Sequence, residues 1–227
     1  MLETRKTKLV SIDFMVKSDQ TKEKILIVAR DKFFQHGFRR VSVDEIAGEL
    51  GISKKTFYQF YEGKDELVAH IVERMKREVK TKMEGIVSQS DSFIDKLNKM
   101  MAFMGQTVSL VGTVFAQDLY KHKHEVWKGI QDFRRKRITD AFSRLLAEGV
   151  SQGYLKKEMN HRVFIMAYLG AVENIMQPNV LSQESFSARD ALQAIVRIFF
   201  TGIMTETARK QFAKREIAIT DLISFKE

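Results

Sequence analysis

Between residues 41 and 67, apolar residues recur every three or four positions, which is the spacing of short helices. Ser42 and Glu45 match a capping box, in which hydroxyl and carboxylate each accept a hydrogen bond from a backbone N–H that a helix start leaves unpaired. A helix is therefore predicted to begin near Val43. Its buried face includes Ala47, which is small enough to let a second helix cross closely above it.

The residues that follow predict a turn and a second short helix. Gly51 can take the positive φ found just past a helix end, and Ser53 can cap the next helix. Phe57 is expected to turn inward and hold the two helices together. The side chains left outside are polar, aromatic or cationic: Lys54, Lys55, Thr56, Tyr58 and Gln59.

These outward side chains suit the major groove of DNA. Lysine and threonine donate to phosphates or base edges, glutamine can pair with adenine, and a tyrosine hydroxyl reaches phosphate. The pattern predicts a helix-turn-helix that reads DNA, and a helical hairpin with a solvated basic face is the alternative.

The remaining pattern predicts helices throughout. A third helix is expected to begin at Lys64 and to continue past Met75 into the rest of the chain. Further helical patterns lie at residues 91–104, 107–120, 125–149, 162–177 and about 187–212. A single proline, Pro178, and many good helix formers favour an all-α protein over a strand-rich one.

The segment from Ile25 to Leu67 resembles the N-terminal domain of the tetracycline-repressor (TetR) family of transcriptional regulators. The matching positions are Ala29, Phe33 or Phe34, His36-Gly37-Phe38, Ser42-Val43, Ile46-Ala47, Gly51-Ile52-Ser53, Thr56, Tyr58, Tyr61, Lys64 and Leu67. The resemblance implies an N-terminal three-helix DNA-binding domain at residues 18–67. It also implies a C-terminal helical bundle at 68–227 that binds an effector and dimerises.

The resemblance also implies which residues touch DNA. Phosphate contacts are expected from Ser42, Thr56, Tyr58 and Lys64, with Lys54, Lys55 and Gln59 nearest the base edges. The predicted DNA-binding residues are Ser42, Ser53, Lys54, Lys55, Thr56, Tyr58, Gln59, Tyr61 and Lys64.

Two helical patterns near the C-terminus predict a dimer interface. Residues 162–177 carry Val163 and several small residues along one side, which permits close helix approach, and residues 187–212 have a broad apolar face. By the resemblance, two such helices from each protomer form a four-helix interface, and a purely internal core is the alternative. The predicted interface residues are Ala167, Gly170, Ala171, Leu192, Val196, Phe199, Phe200 and Ile203.

Methionine and aromatic residues of the middle segment could line an adaptable apolar cavity, with ordinary core packing as the alternative for each of them. The predicted effector-binding residues are Met100, Phe103, Met104, Phe115, Trp127 and Phe133, with the polar groups Tyr168, Glu173 and Asn174. The expected effector is a largely apolar small molecule.

The net charge of +9 favours a polyanionic partner such as nucleic acid. Residues 17–74 are nearly balanced in charge, whereas residues 121–137 are strongly basic. This basic segment is interpreted as a solvated helix face, with flanking DNA or an anionic ligand as alternative partners. Residues 1–17 precede the periodic pattern and are expected to form a flexible arm, unless Met15 is the true start.

The chain has no cysteine, which excludes disulfides and thiolate sites and is typical of the reducing cytoplasm. Asp118 and His122 have a spacing that could hold a metal, but no catalytic motif accompanies them, so no metal, cofactor or enzyme activity is predicted. The favoured hypothesis is a cytoplasmic, homodimeric repressor that an effector releases from operator DNA. The alternatives are a DNA-binding adaptor with a protein partner, or a helical enzyme with a DNA-binding head.

Overall fold

A computed structural model describes residues 2–111 and 113–213, with side chains from residue 18 onwards. The described residues form helices and their connections, apart from one isolated antiparallel bridge between Leu155 and Met204, so the predicted all-α class is confirmed. In order, the helices are α1 (Leu2–His36), α2 (Val43–Glu49), α3 (Lys54–Tyr58), α4 (Lys64–Ser88), α5 (Phe93–Val111), α6 (Thr113–His122), α7 (His124–Ser151), α8 (His161–Ile175), α9 (Pro178–Leu181) and α10 (Ala188–Ile203). Residues 206–213 are also helical.

Helix α1 begins at Leu2, so residues 2–17 belong to a helix where the sequence analysis expects a flexible arm. The physical reason lies in the composition, since no glycine or proline interrupts residues 2–36 and lysine, glutamate, leucine and methionine favour helix.

The chain forms two compact units whose bounds differ from the predicted domains. The N-terminal unit comprises residues 1–75 and 112–126, and the C-terminal unit comprises residues 76–111 and 127–227. The predicted first domain ends at residue 67, and the predicted second domain includes α6. In the structure α6 packs against α1 within the N-terminal unit.

Aromatic rings explain the position of α6. Phe115 of α6 is fully buried, and its ring lies 5.1 Å from Phe34, 6.4 Å from Phe33 and 6.4 Å from Phe38. Phe115 is therefore part of the N-terminal core, and its predicted place in an effector cavity is wrong. Sequence periodicity predicts that such a ring is buried but not which core receives it.

Gly37 lets the connection between α1 and α2 lie directly against α6. Its φ is +79°, and a Cβ atom there would come within 2.6 Å of Asp118 Oδ2 and 2.9 Å of Val114 Cγ1. The same Asp118 oxygen accepts a hydrogen bond from the backbone N–H of Arg39, at 3.1 Å. Both the backbone conformation and the available space therefore require glycine.

The C-terminal unit has an aromatic core formed by α7, α8 and α10. The ring of Phe142 lies 4.7 Å from Tyr168 and 5.3 Å from Phe200, which is itself 5.3 Å from Phe164. The last predicted helix, at about 187–212, is interrupted because Met204 takes an extended conformation after α10. In the part of the chain that the structure describes, no helix is both long and apolar enough to span a membrane.

Candidate nucleic-acid interface

Helix α2 begins with the predicted capping box. Ser42 Oγ accepts a hydrogen bond from the Glu45 N–H at 3.1 Å, and the Glu45 carboxylate accepts from the Ser42 N–H at 2.6 Å and from its hydroxyl at 2.8 Å. The hydrogen bonds from the Ser42 backbone and side chain lower the pKa of Glu45. The predicted start at Val43 is confirmed. The Ser42 hydroxyl is already engaged both as donor and as acceptor, so a phosphate contact would have to replace part of this cap.

The turn between α2 and α3 also has the predicted local geometry. Gly51 has a φ of +64°, and the N–H of Ile52 donates to the carbonyl of Ala47 at 3.0 Å. Ser53 Oγ accepts from the Thr56 N–H at 3.0 Å and lies 2.8 Å from the Thr56 hydroxyl. Phe57 is fully buried. These contacts hold the five-residue α3 in a defined position on the N-terminal unit.

Helix α3 and its end present four large polar side chains to solvent. Lys54, Lys55, Tyr58 and Gln59 are exposed, and the side chain of Tyr58 retains 50% of its accessible surface. Lys54 Nζ lies 3.0 Å from Asp44 Oδ2, an exposed ion pair that water screens. The side chains of Lys55 and Gln59 have no ion-pair or hydrogen-bond partner among the described residues.

Lys64 has a structural role within the N-terminal unit, and its phosphate contact stays a prediction. Its Nζ donates to the backbone carbonyls of Phe38 at 2.9 Å, Arg39 at 3.2 Å and Val41 at 2.8 Å. An ammonium group has three N–H donors, and all three are directed into the connection between α1 and α2. The acceptors lie more than twenty residues before Lys64 in the chain, so no local sequence signal reveals this role.

Tyr61, another predicted DNA-binding residue, belongs to the core. It is almost fully buried, and its hydroxyl donates to the backbone carbonyl of Lys22 at 3.2 Å. Burial raises the pKa of Tyr61 to about 12. The exposed Arg40, two residues before Ser42, is a cation that the sequence analysis did not select.

The predicted dimer residues on α10 divide between core and surface. Leu192, Val196 and Phe200 are buried inside their own unit, which corrects their assignment to an interface between protomers. Phe199 and Ile203 are partly buried, and they pack on the same core. The physical reason is that a broad apolar face reveals burial without revealing which chain buries it.

Other residues of α8 and α10 form an exposed apolar surface. Val163, Met166 and Ile198 retain 60%, 63% and 69% of their accessible surface. Ala167 is also exposed, while Gly170 and Ala171 are partly exposed. Met166 and Ile198 are not among the predicted interface residues, although Val163, Met166 and Gly170 have the i, i+3, i+7 spacing of one helix face.

The predicted effector-binding residues have different environments. Met100 and Tyr168 belong to the core of the C-terminal unit, and Phe103 and Met104 pack against it. Trp127 is buried and Phe133 partly buried. Asn174, in contrast, is exposed and donates to the carbonyl of Gly170 at 3.1 Å, so it does not face this core.

Three of the seven lysine and arginine side chains in the basic segment 121–137 form ion pairs within their own unit. Lys123 lies 2.5 Å from Asp65, and the Arg135 guanidinium binds both carboxylate oxygens of Glu173 at 2.9 and 2.8 Å. Arg137 binds Glu84 and Asp140. Lys121, Lys128 and Lys136 are exposed, which agrees with the interpretation of most of the segment as a solvated helix face.

Asp118 and His122, the pair with metal-like spacing, are both engaged with Arg39. Asp118 accepts from the Arg39 N–H, and a ring nitrogen of His122 lies 3.0 Å from the Arg39 guanidinium. Within the described ranges, no group of three or more metal-ligating side chains is present.

The geometry therefore defines a helix-turn-helix DNA-binding protein with a second, helical unit. Residues 25–71 match the family of bacterial regulatory proteins called the tetR family. The HTH-type transcriptional regulator YvaF of Bacillus subtilis is 26% identical over 174 residues, which cover 76% of this chain and 90% of YvaF. These similarities place a tetR-family DNA-binding domain at residues 25–71 and support a TetR-family transcriptional regulator.

Solved structures of the family share the fold. A TetR-family regulator from Marinobacter aquaeolei has a TM-score of 0.68 at 18% identity, covering 86% of this chain and 97% of that one. A TetR/AcrR-family regulator from Thermobifida fusca has a TM-score of 0.59 at 22% identity, covering 81% and 98%. The predicted arrangement of an N-terminal helix-turn-helix domain and a C-terminal helical domain is thus confirmed.

Proposed function

We propose that this regulator is a homodimeric repressor that binds a two-fold symmetric operator and is released by a small molecule bound in its C-terminal unit. The observation that carries the proposal is the presentation of α3. Phe57 anchors the helix from below, while Lys55, Tyr58 and Gln59 remain free to enter a major groove. Rigid support with exposed polar side chains is what base reading requires.

Within this proposal the exposed residues divide into two groups. Lys55 and Gln59 read base edges, because both have long side chains without a partner among the described residues. Tyr58 and Arg40 bind phosphates, which set the position of the helix but carry little sequence information. Lys64 and Tyr61 act only by holding the N-terminal unit together.

The exposed apolar surface of α8 and α10 supports the dimer. Val163, Met166 and Ile198 are large apolar side chains in water, and small residues such as Ala167 beside them allow close helix approach. In this proposal the dimer is isologous, and its operator has two half-sites about 34–36 Å apart, or a multiple of that distance.

The DNA-binding part is tested by selecting duplexes from a random pool and measuring affinities for the enriched sequence. Gln59→Ala should change the preferred bases by ~1–3 kcal/mol at one position of each half-site. Tyr58→Ala should weaken binding to all duplexes alike. Lys80→Ala removes an exposed charge from the C-terminal unit and serves as the matched control. A pool without any enriched duplex would contradict the proposal.

The dimer is tested separately by light scattering. Ile198→Glu places a charge in the proposed interface and should yield folded monomers that bind the operator weakly. Gln193→Glu, on an exposed position of the same helix, should remain dimeric. An Ile198→Glu protein that stays dimeric would show that this surface is not the interface.

A further inference from the structure

An ion pair joins the first turns of the two helices of the helix-turn-helix. Lys54, the first residue of α3, donates from its Nζ to Asp44 Oδ2 of α2 at 3.0 Å. Both side chains are exposed, by 53% for Lys54 and 67% for Asp44. The hydrogen bond to Asp44 and the charge of that residue raise the pKa of Lys54. The ammonium of Lys54 therefore already has an anionic partner on the surface that carries α3.

The other two acidic residues of α2 are engaged away from α3. The Glu45 carboxylate accepts from the N–H and the hydroxyl of Ser42, at the start of its own helix. Glu49 Oε2 lies 2.6 Å from the Nζ of Lys32 on α1. Asp44 is thus the acid of α2 that contacts the helix proposed to enter the major groove.

An exposed pair of this kind is weak enough for DNA to replace it. Such pairs contribute little to stability, because water screens the charges and two long side chains lose freedom. A phosphate or a base edge within reach of Lys54 can therefore take its ammonium from Asp44. The next residue, Lys55, has no acidic partner in the part of the chain that the structure describes. The two lysines of α3 consequently meet DNA in different states, one paired and one free.

Pairing has different consequences for random DNA and for an operator. Nonspecific binding comes from lysine and arginine side chains that neutralise phosphates and release counterions. A lysine that stays paired with a carboxylate adds no net positive charge to this process. In an operator complex base contacts fix the position of α3, and Lys54 can then exchange Asp44 for the DNA.

We propose that Asp44 is a specificity-determining residue, which holds Lys54 away from random DNA and releases it to the operator. This inference rests on the proposed function, because it takes α3 as the helix that enters the major groove. It also separates the roles of the two lysines. Lys55 contributes to binding of any duplex, whereas Lys54 contributes to binding of the operator.

The test measures the affinity of the full chain for a random duplex and for the selected operator over a range of salt concentrations. Asp44→Asn removes the charge of the acid and nearly keeps its size. On the random duplex, affinity should rise at least about fivefold, and the slope of log affinity against log salt should steepen by about 0.9 per protomer. On the operator, affinity should rise no more than about twofold and the slope should stay the same, because Lys54 already contacts that DNA.

Glu206→Gln is the matched control. It removes the same charge and releases Lys210 from an ion pair of 3.1 Å that is also exposed, in the C-terminal unit. Both affinities and both slopes should stay at their wild-type values. A gain on random DNA equal to that of Asp44→Asn would show that net charge is the cause, and would overturn the proposal.

Combining Asp44→Asn with Lys54→Met distinguishes action through Lys54 from direct repulsion of phosphate by Asp44. The double variant replaces a neutral pair by two neutral side chains. Affinity for random DNA should therefore return to the wild-type value, while affinity for the operator should fall below it. Random-DNA affinity that stays at the Asp44→Asn value, or operator affinity equal to that of the wild type, would overturn the proposal.

A purely structural role of Asp44 predicts the opposite result. Loss of stability in Asp44→Asn would lower both affinities, so it cannot produce a gain on random DNA. A wild-type protein that enriches no duplex would refute the proposed function and this inference together. A protein that enriches an operator, but whose Asp44→Asn variant keeps the wild-type ratio of operator to random affinity, would refute this inference alone.

Discussion

Replacing Lys64 by methionine tests the structural role of this lysine against the phosphate contact expected from the family resemblance. Methionine keeps most of the side-chain length but cannot donate a hydrogen bond. The three bonds to the carbonyls of Phe38, Arg39 and Val41, at 2.8 to 3.2 Å, would be lost together. The connection between α1 and α2 would then lose its attachment to α4.

The magnitude follows from the number and burial of these bonds. Hydrogen bonds to charged groups contribute about 1.5–3 kcal/mol each. Because the three bonds share one ammonium and one acceptor is exposed, Lys64→Met should lower the free energy of unfolding by less than the sum of three separate bonds, ~2–4 kcal/mol. That is a large part of the ~5–15 kcal/mol by which domains are stable.

Two assays distinguish the roles. Hydrogen exchange in the full chain should show faster exchange at residues 38–49 in Lys64→Met, because α2 loses its support. The dependence of operator affinity on salt should keep its slope, since no phosphate contact is removed. Lys55→Met is the control, as an exposed lysine on α3 whose loss should leave exchange unchanged.

A lysine that binds phosphate contributes about 0.9 to the slope of log affinity against log salt, or about 1.8 for a dimer. A Lys64→Met protein with unchanged hydrogen exchange and a slope reduced by that amount would refute the structural role.

Two further predictions concern the N-terminal unit. Gly51→Ala should lower the free energy of unfolding by ~1–2 kcal/mol because of its positive φ alone. Gly37→Ala should lower it by a further ~1–3 kcal/mol, because its methyl group would also meet Asp118 at 2.6 Å. Equal losses of stability in thermal denaturation would contradict this. The lowered pKa of Glu45 means that its carboxylate stabilises the fold above the ordinary carboxyl pKa, and that this contribution is lost as pH falls through the lowered value. The stability difference between wild type and Ser42→Ala should therefore shrink in acid, and a difference that stays constant with pH would show that the capping box is not the cause.

The sequence by itself determined the features that depend on neighbouring residues. The capping box at Ser42, the cap at Ser53 and the positive φ of Gly51 each involve groups within three or four residues, so their chemistry is readable in the chain. The exposed character of Lys55 and Gln59 follows equally from helical spacing. The helix-turn-helix was predictable because it is made almost entirely of such local contacts.

Only the tertiary structure decided the roles that depend on distant parts of the chain. Periodicity predicts that Phe115 and Phe200 are buried, but the core that receives each ring depends on which helices meet. The same is true of charge, since Lys64 meets carbonyls more than twenty residues away and Arg135 meets Glu173 thirty-eight residues on. Whether a lysine or arginine forms an ion pair, supports the backbone or remains available to a ligand depends on the acceptors that folding brings within about 3 Å of it.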